Sequence, residues 1–387
     1  MPVTVTNRPE PLSSAEFSVP DFRRVALVAA RQEQVAEWLR GQKLDALLIT
    51  RAENFAWFTA GGSNVRGFTD EKTAVLLVTA DARVVATNNV DSQEVFDRQL
   101  HGLGFQLKER PWHEHRANLI GDLCRGRKVG SDTAGLATDA DAGPWLANRR
   151  RHLDPFEHAR LRDLGRVVAH AVEATARAAK PGVVEREVAG ELAHRLLKRG
   201  VDPVRLQALG DGRARTYPHG GYGSDACRGW LTVAATGRRD GLHVAAARTV
   251  VFEPVDDRVR DAHRRALAMQ TTGMAFSRGG WEWSETWRRV RRIYEKFDRV
   301  DEWRLSEQAD LIGYRPTESR LVNGSGEKFT AGTPVYWHPA VGSCPTGDTI
   351  LPGEEGYELL TPSQNWPEIG ISVKGVTMPR PDVLIRG

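Results

Sequence analysis

Residues 154–200 read DPFEHARLRDLGRVVAHAVEATARAAKPGVVEREVAGELAHRLLKRG. Leu161, Leu164, Val167, Val168, Ala171, Val172 and Ala176 recur at steps of three and four, the period of one helix face. A long amphipathic helix is therefore predicted over Phe156–Ala179. Pro155 biases Asp154 away from helix and suits the first helical turn, so it marks the start. Pro181-Gly182 breaks the helix. A second one follows, with Val188, Leu192, Leu196 and Leu197 on one side and Gly200 at its end. The basic stretch Arg149–Arg151 just upstream, together with Asp154-Pro155, reads as a domain boundary.

Downstream of the helix pair, strand-like runs occur at Leu231–Ala235 and Thr249–Phe252. Helices are predicted over Val259–Phe276 and Trp283–Phe297, and Thr333–Ile385 reads as strands and turns. This is the pattern of an α+β domain over residues 155–387. Upstream, a helix beginning at Asp21 carries Val25, Val28, Val35 and Leu39 on one face and stops at Gly41. Strands are predicted at 45–50, 73–79, 83–87, 105–109 and 128–131, with helices at 95–103 and 118–124 between them. Residues 21–154 are thus read as an α/β domain. Residues 1–20 are polar and Pro-rich and read as an extended N-terminal arm.

A chain of 387 residues is long enough for two domains. Lys plus Arg (54) against Asp plus Glu (50) leave only +4, spread along the sequence, which argues against a nucleic-acid partner. No apolar run reaches the ~18 residues of a membrane span, and the N-terminus shows no secretory signal. Three scattered cysteines, with no CxxC pair, suit a reducing compartment, so a cytoplasmic protein is expected. The glycine-rich segment Gly220–Asp225 lacks the Lys-Ser/Thr of a phosphate loop and is read as a mobile loop at a cleft mouth. Trp283 and Trp287, one helical turn apart, are read as core or dimer packing.

Several segments in order resemble one family. Glu53–Gly61 (ENFAWFTAG) is similar to the N-x-x-Y-L-T-G segment of creatinase-like N-terminal domains. Lys180–Ala189 resembles a P-G-x-T-E-x-E-V-A helix junction, and Asp240–Val250 (DGLHVAAARTV) resembles G-Y-x-x-D-x-T-R-T. Gly313–Glu318 and Asp348-Thr349 resemble later motifs. The chain is thus identified as a member of the creatinase/aminopeptidase P/methionine aminopeptidase superfamily. The resemblance implies a creatinase-like α/β N-terminal domain, an α+β pita-bread C-terminal domain and a homodimer.

The resemblance also implies where a metal centre would lie. Metal-dependent members hold two divalent cations with two aspartates, one histidine and two glutamates. In this sequence the aspartate register falls on Ala234 and Ala245, and the last glutamate on Gly347. The histidine motif aligns with Ser306–Asp310. Alanine and glycine offer no donor atom, so no metal and no other cofactor is expected. By type, His243, Glu307, Asp310 and Asp348 are the residues from which a single-ion site could be rebuilt.

Creatinase and ectoine hydrolase, members that work without metal, suggest another chemistry. His219, in the segment that by resemblance opens the cleft, is the expected acid/base group, because imidazole titrates near neutrality. Glu318 is the expected second catalytic group. Arg248 is expected to clamp a substrate carboxylate through its planar fork. His243, Glu307, His338 and Tyr314 complete the expected substrate-binding set, with His243 and His338 as reserve proton carriers. The resulting reading is a metal-independent hydrolase, or a lyase, acting on C–N bonds of a small amino-acid-derived amidine, amide or cyclic substrate. A non-catalytic binding protein and a divergent Xaa-Pro aminopeptidase are the alternatives. Convergence of His219, Glu318 and Arg248 on one pocket discriminates between them.

Overall fold

The computed structural model describes residues 21–135, 139–254, 256–322 and 324–386. The expected extended arm, residues 1–20, lies outside the described residues. The first unit is a six-stranded mixed sheet in the order Gln106–Arg110, Arg83–Asn88, Ala74–Val78, Ala46–Ile49, Val129–Ser131, Ala140–Asp141. The central strands Ala46–Ile49 and Ala74–Val78 are buried throughout, which explains their unbroken apolar sequence. Helix Phe22–Gln42 begins where the Asp21 carboxylate accepts from Arg23 N, and ends with Lys43 in the left-handed region at φ 57°.

The long helix expected from the opening stretch spans Pro155–Ala178. A capping box fixes its start: Asp154 accepts from Phe156 N at 2.8 Å, and Glu157 accepts from Asp154 N at 2.8 Å. Its apolar face and that of helix Glu185–Leu197 cover one side of a four-stranded sheet ordered Leu384–Arg386, Leu242–Phe252, Trp230–Arg239, Asp202–Gly210. A five-stranded sheet follows, ordered Ser319–Arg320, Ala309–Leu311, Val335–Trp337, Asp348–Pro352, Tyr357–Leu359. Helices Asp257–Ala275 and Trp283–Lys296 pack on it, and Trp283, Trp287 and Tyr294 are buried there with Trp337 and Ile350. The Trp283/Trp287 pair is therefore core. Truncating a buried aromatic of this kind to alanine costs roughly 3–5 kcal/mol.

Two strands run further than the sequence suggested, and one long strand was missed. Leu242–Phe252 is an eleven-residue strand, buried along its whole length, although only its last four residues were read as strand. The run Ala245–Ala247 conceals it, because alanine has low strand preference and acquires strand form here by burial. The turn before it, Asp240-Gly241, has both residues at positive φ (52° and 74°), the geometry of a tight two-residue hairpin. An Asp-Gly dipeptide between apolar runs is the signal that would have joined the two strands. Strand Asp202–Gly210 carries no such signal.

The two units share one continuous apolar cluster, which includes Phe55 and Leu146 from the first and Leu161 and Val172 from the second. Buried ion pairs cross the same junction. Arg31 Nη2 meets Glu157 Oε1 at 2.7 Å, and Arg150 Nη2 meets Glu318 Oε2 at 2.8 Å.

Candidate functional site

A cavity of about 70 Å³ lies where the two sheets of the second unit meet. Strand alternation decides what faces it. Arg205, Gln207 and Leu209 are alternate residues of one strand, Thr232 and Ala234 of the next, and Tyr336 and His338 of a third segment. Ala247 completes the floor, and its N–H donates to Gly347 O at 2.8 Å, linking one sheet to the other. That close approach needs two residues without bulk. A Cβ on Gly347 would fall 2.9 Å from Ala247 Cβ and closer still to the Tyr336 hydroxyl.

Two histidines line this cavity, each beside a carboxylate. His338 Nε2 lies 3.4 Å from Asp310 Oδ2, and its ring stacks on Tyr336 with centroids 4.6 Å apart at 21°. Asp310 is buried and accepts from Thr317 Oγ1 at 3.3 Å. Neither His338 Nε2 nor Asp310 Oδ1 has a hydrogen-bond partner among the described residues. His219 is at the mouth, its side chain 59% exposed, with Nε2 3.6 Å from Glu307 Oε2. Arg320 contacts Glu307 and holds Nε 3.7 Å from Asp310 Oδ1. The loop after His219 is tied down: Gln207 Nε2 donates to Pro218 O at 3.2 Å and to Gly220 O at 2.8 Å. Burial, reinforced by the Asp348 carboxylate, pushes the Tyr336 phenol well above its ordinary range, so it stays a neutral donor; Arg205 opposes that shift.

The other expected site residues are elsewhere. Glu318 is 3% exposed and held bidentate by Arg150, at 3.0 Å to Nε and 2.8 Å to Nη2. Arg248 is fully buried on the far side of its strand, donating to Glu173 at 3.1 Å, Asp348 at 2.9 Å and Thr361 O at 3.1 Å. Burial alone would lower its pKa; the Asp348 and Glu173 carboxylates outweigh burial and raise it. Tyr314 donates its hydroxyl to Glu157 at the junction of the two units. His243, also buried, has Nδ1 3.0 Å from Gly313 O, and burial lowers its pKa to about 4. His243 and Tyr314 line a separate groove between the units. His219 therefore does not converge with Glu318 and Arg248, so the expected catalytic set is not assembled; His219 shares its cavity with Glu307 and His338 instead. Arg205, Arg215 and Tyr336 also line the cavity and had no motif to betray them.

The Creatinase/Prolidase N-terminal domain model matches residues 31–147, and that of metallopeptidase family M24 matches 159–351. The chain belongs to the creatinase/aminopeptidase P superfamily. Its pita-bread fold superposes on a Xaa-Pro dipeptidase from Bacillus anthracis with TM-score 0.73 and 17% identity, covering 93% of this chain and 100% of that one. A prolidase from Pyrococcus horikoshii OT3 gives 0.73 and 15%, covering 87% and 99%. The N-terminal domain of FACT complex subunit SPT16 from chickpea gives 0.67 and 12%, covering 89% and 97%. No curated protein matches the chain. The resemblance places ligands of a two-ion centre at positions 234, 245 and 347. Ala234 and Ala245 carry no donor atom, and the Tyr336 hydroxyl occupies the space a side chain at 347 would need. Glu307, Asp310 and His338 do bring one ligand atom each to within 4.8 Å of one another. Arg320, however, already supplies positive charge to both carboxylates.

Proposed function

We propose that this chain is a metal-independent hydrolase acting on a C–N bond of a small amino-acid-derived amidine, amide or cyclic substrate. The observation that carries this reading is the pair of histidine–carboxylate contacts, His338–Asp310 and His219–Glu307, on one cavity floored by alanine. With Nε2 of His338 toward Asp310, Nδ1 takes a proton from water as the water oxygen attacks the substrate carbon. The buried Asp310 charge steadies the resulting imidazolium. His219, protonated, returns a proton to the departing nitrogen. One C–O bond forms, one C–N bond breaks, and one water is consumed.

The test is a screen of small amidines, amides, lactams and Xaa-Pro dipeptides for amine or ammonia release, with and without chelator. Turnover of a small substrate that survives chelation and falls about a hundredfold or more in His338→Gln is the expected result. Cleavage of Xaa-Pro dipeptides only with added Mn²⁺ or Co²⁺ would replace this reading with the divergent aminopeptidase. Saturable binding without turnover of any candidate would replace it with the binding protein.

A further inference from the structure

The carboxylates of the cavity are already answered by cations or donors. Glu307 has Arg320, and Asp310 has Arg320 and His338. Glu302 accepts from Gly342 N and lies 3.6 Å from Arg299. The guanidinia of Arg205 and Arg215 have no such answer. Both line the cavity as solvent-exposed side chains, and among the described residues neither makes an ion pair or a side-chain hydrogen bond. Tyr336 lines the same cavity, and its hydroxyl has no hydrogen-bond partner among the described residues.

Position in the sheet explains why these groups are held there. Arg205 sits opposite Thr236 in the strand pairing and shares its cavity-facing side with Gln207, whose amide is anchored to the 218–220 backbone. Arg215 follows on the short helix Arg213–Thr216 beyond the same strand. The cavity wall thus carries two exposed, unpaired guanidinia and the Tyr336 phenol, beside Ala234 and Ala247, whose side chains bring no charge. Unpaired guanidinium groups on the wall of a cleft attract anions, the more weakly as salt rises. Guanidinium forks match the paired oxygens of a carboxylate or phosphate.

We infer that Arg205, Arg215 and the Tyr336 hydroxyl form an oxyanion-binding subsite, which takes a carboxylate or phosphate group of the substrate. This deepens the reading above and rests on this cavity being the substrate site. It is tested by binding alone, so its failure is distinct from a failure to find turnover.

Isothermal titration of the full chain with succinate and, separately, with inorganic phosphate distinguishes the two anion types. At least one should bind saturably, weaken with added NaCl, and lose about tenfold or more in affinity in Arg205→Gln and in Arg215→Gln. Arg288→Gln, an exposed residue on the Trp283–Lys296 helix, should bind as the unaltered chain does. Tyr336→Phe should weaken binding while keeping the fold, monitored by circular dichroism. Absence of saturable binding by the unaltered chain, or affinities in Arg205→Gln and Arg215→Gln equal to that of the unaltered chain, would overturn the subsite.

Discussion

The Tyr336 hydroxyl fills the space into which a side chain at Gly347 would project. The two residues belong to neighbouring segments of the five-stranded sheet, where Tyr336 pairs with Thr349. The same aromatic ring stacks on His338. One tyrosine therefore closes the space beside Gly347 and orients a candidate proton carrier.

Gly347→Ala should force the added methyl against Tyr336 and Ala247, and overpacking of this kind costs roughly 1–3 kcal/mol. Tyr336→Phe removes the oxygen it meets. The double variant should recover part of the loss in urea unfolding, giving a favourable coupling between the two positions. Strict additivity would mean that the hydroxyl does not occupy that space.

Arg248→Met should destabilise the chain by about 3–5 kcal/mol, because Glu173 and Asp348 would lose a buried cation. Folded variant protein should still bind anions in the cavity with unchanged affinity. Lost affinity with intact stability would restore Arg248 to the substrate. Glu318→Gln should likewise weaken the Arg150 contact at the domain junction without altering binding.

Protein purified without chelator should carry substoichiometric Mn, Co, Zn and Fe by elemental analysis. Ala234, Ala245 and Gly347 provide no ligand, and Arg320 stands beside the two cavity carboxylates. Chelator should leave the melting temperature unchanged. One ion per chain, lost in Asp310→Asn, would instead assign a mononuclear centre to Glu307, Asp310 and His338.

His243 gives stability a pH dependence of known sign. Burial lowers its pKa from 6.5 to about 4, so between those values the unfolded chain binds a proton that the folded chain refuses. Its contribution is fully present above 6.5 and is lost as pH falls toward 4, on the order of 3 kcal/mol in all. His243→Gln should flatten that part of the stability profile between pH 7 and 4 in urea unfolding, with its amide donating to Gly313 O. An unchanged slope would show that His243 is protonated in the fold.

Local rules were enough for the helix pair. Its period, Asp154-Pro155, Pro181-Gly182 and Gly200 act within a few residues, so the chain declares them by itself. The superfamily motifs and the missing donor atoms at 234, 245 and 347 were legible for the same reason, since they are properties of residue identity. Which charged side chains face the cavity was not. Arg248 finds Glu173 and Asp348 at sequence separations of 75 and 100 residues, and Glu318 finds Arg150 at 168. In a strand, one step along the chain decides between core and cavity. The sequence thus determined the fold and the family motifs. Only the tertiary structure, by pairing some charges and leaving Arg205 and Arg215 unpaired, decided what the site contains.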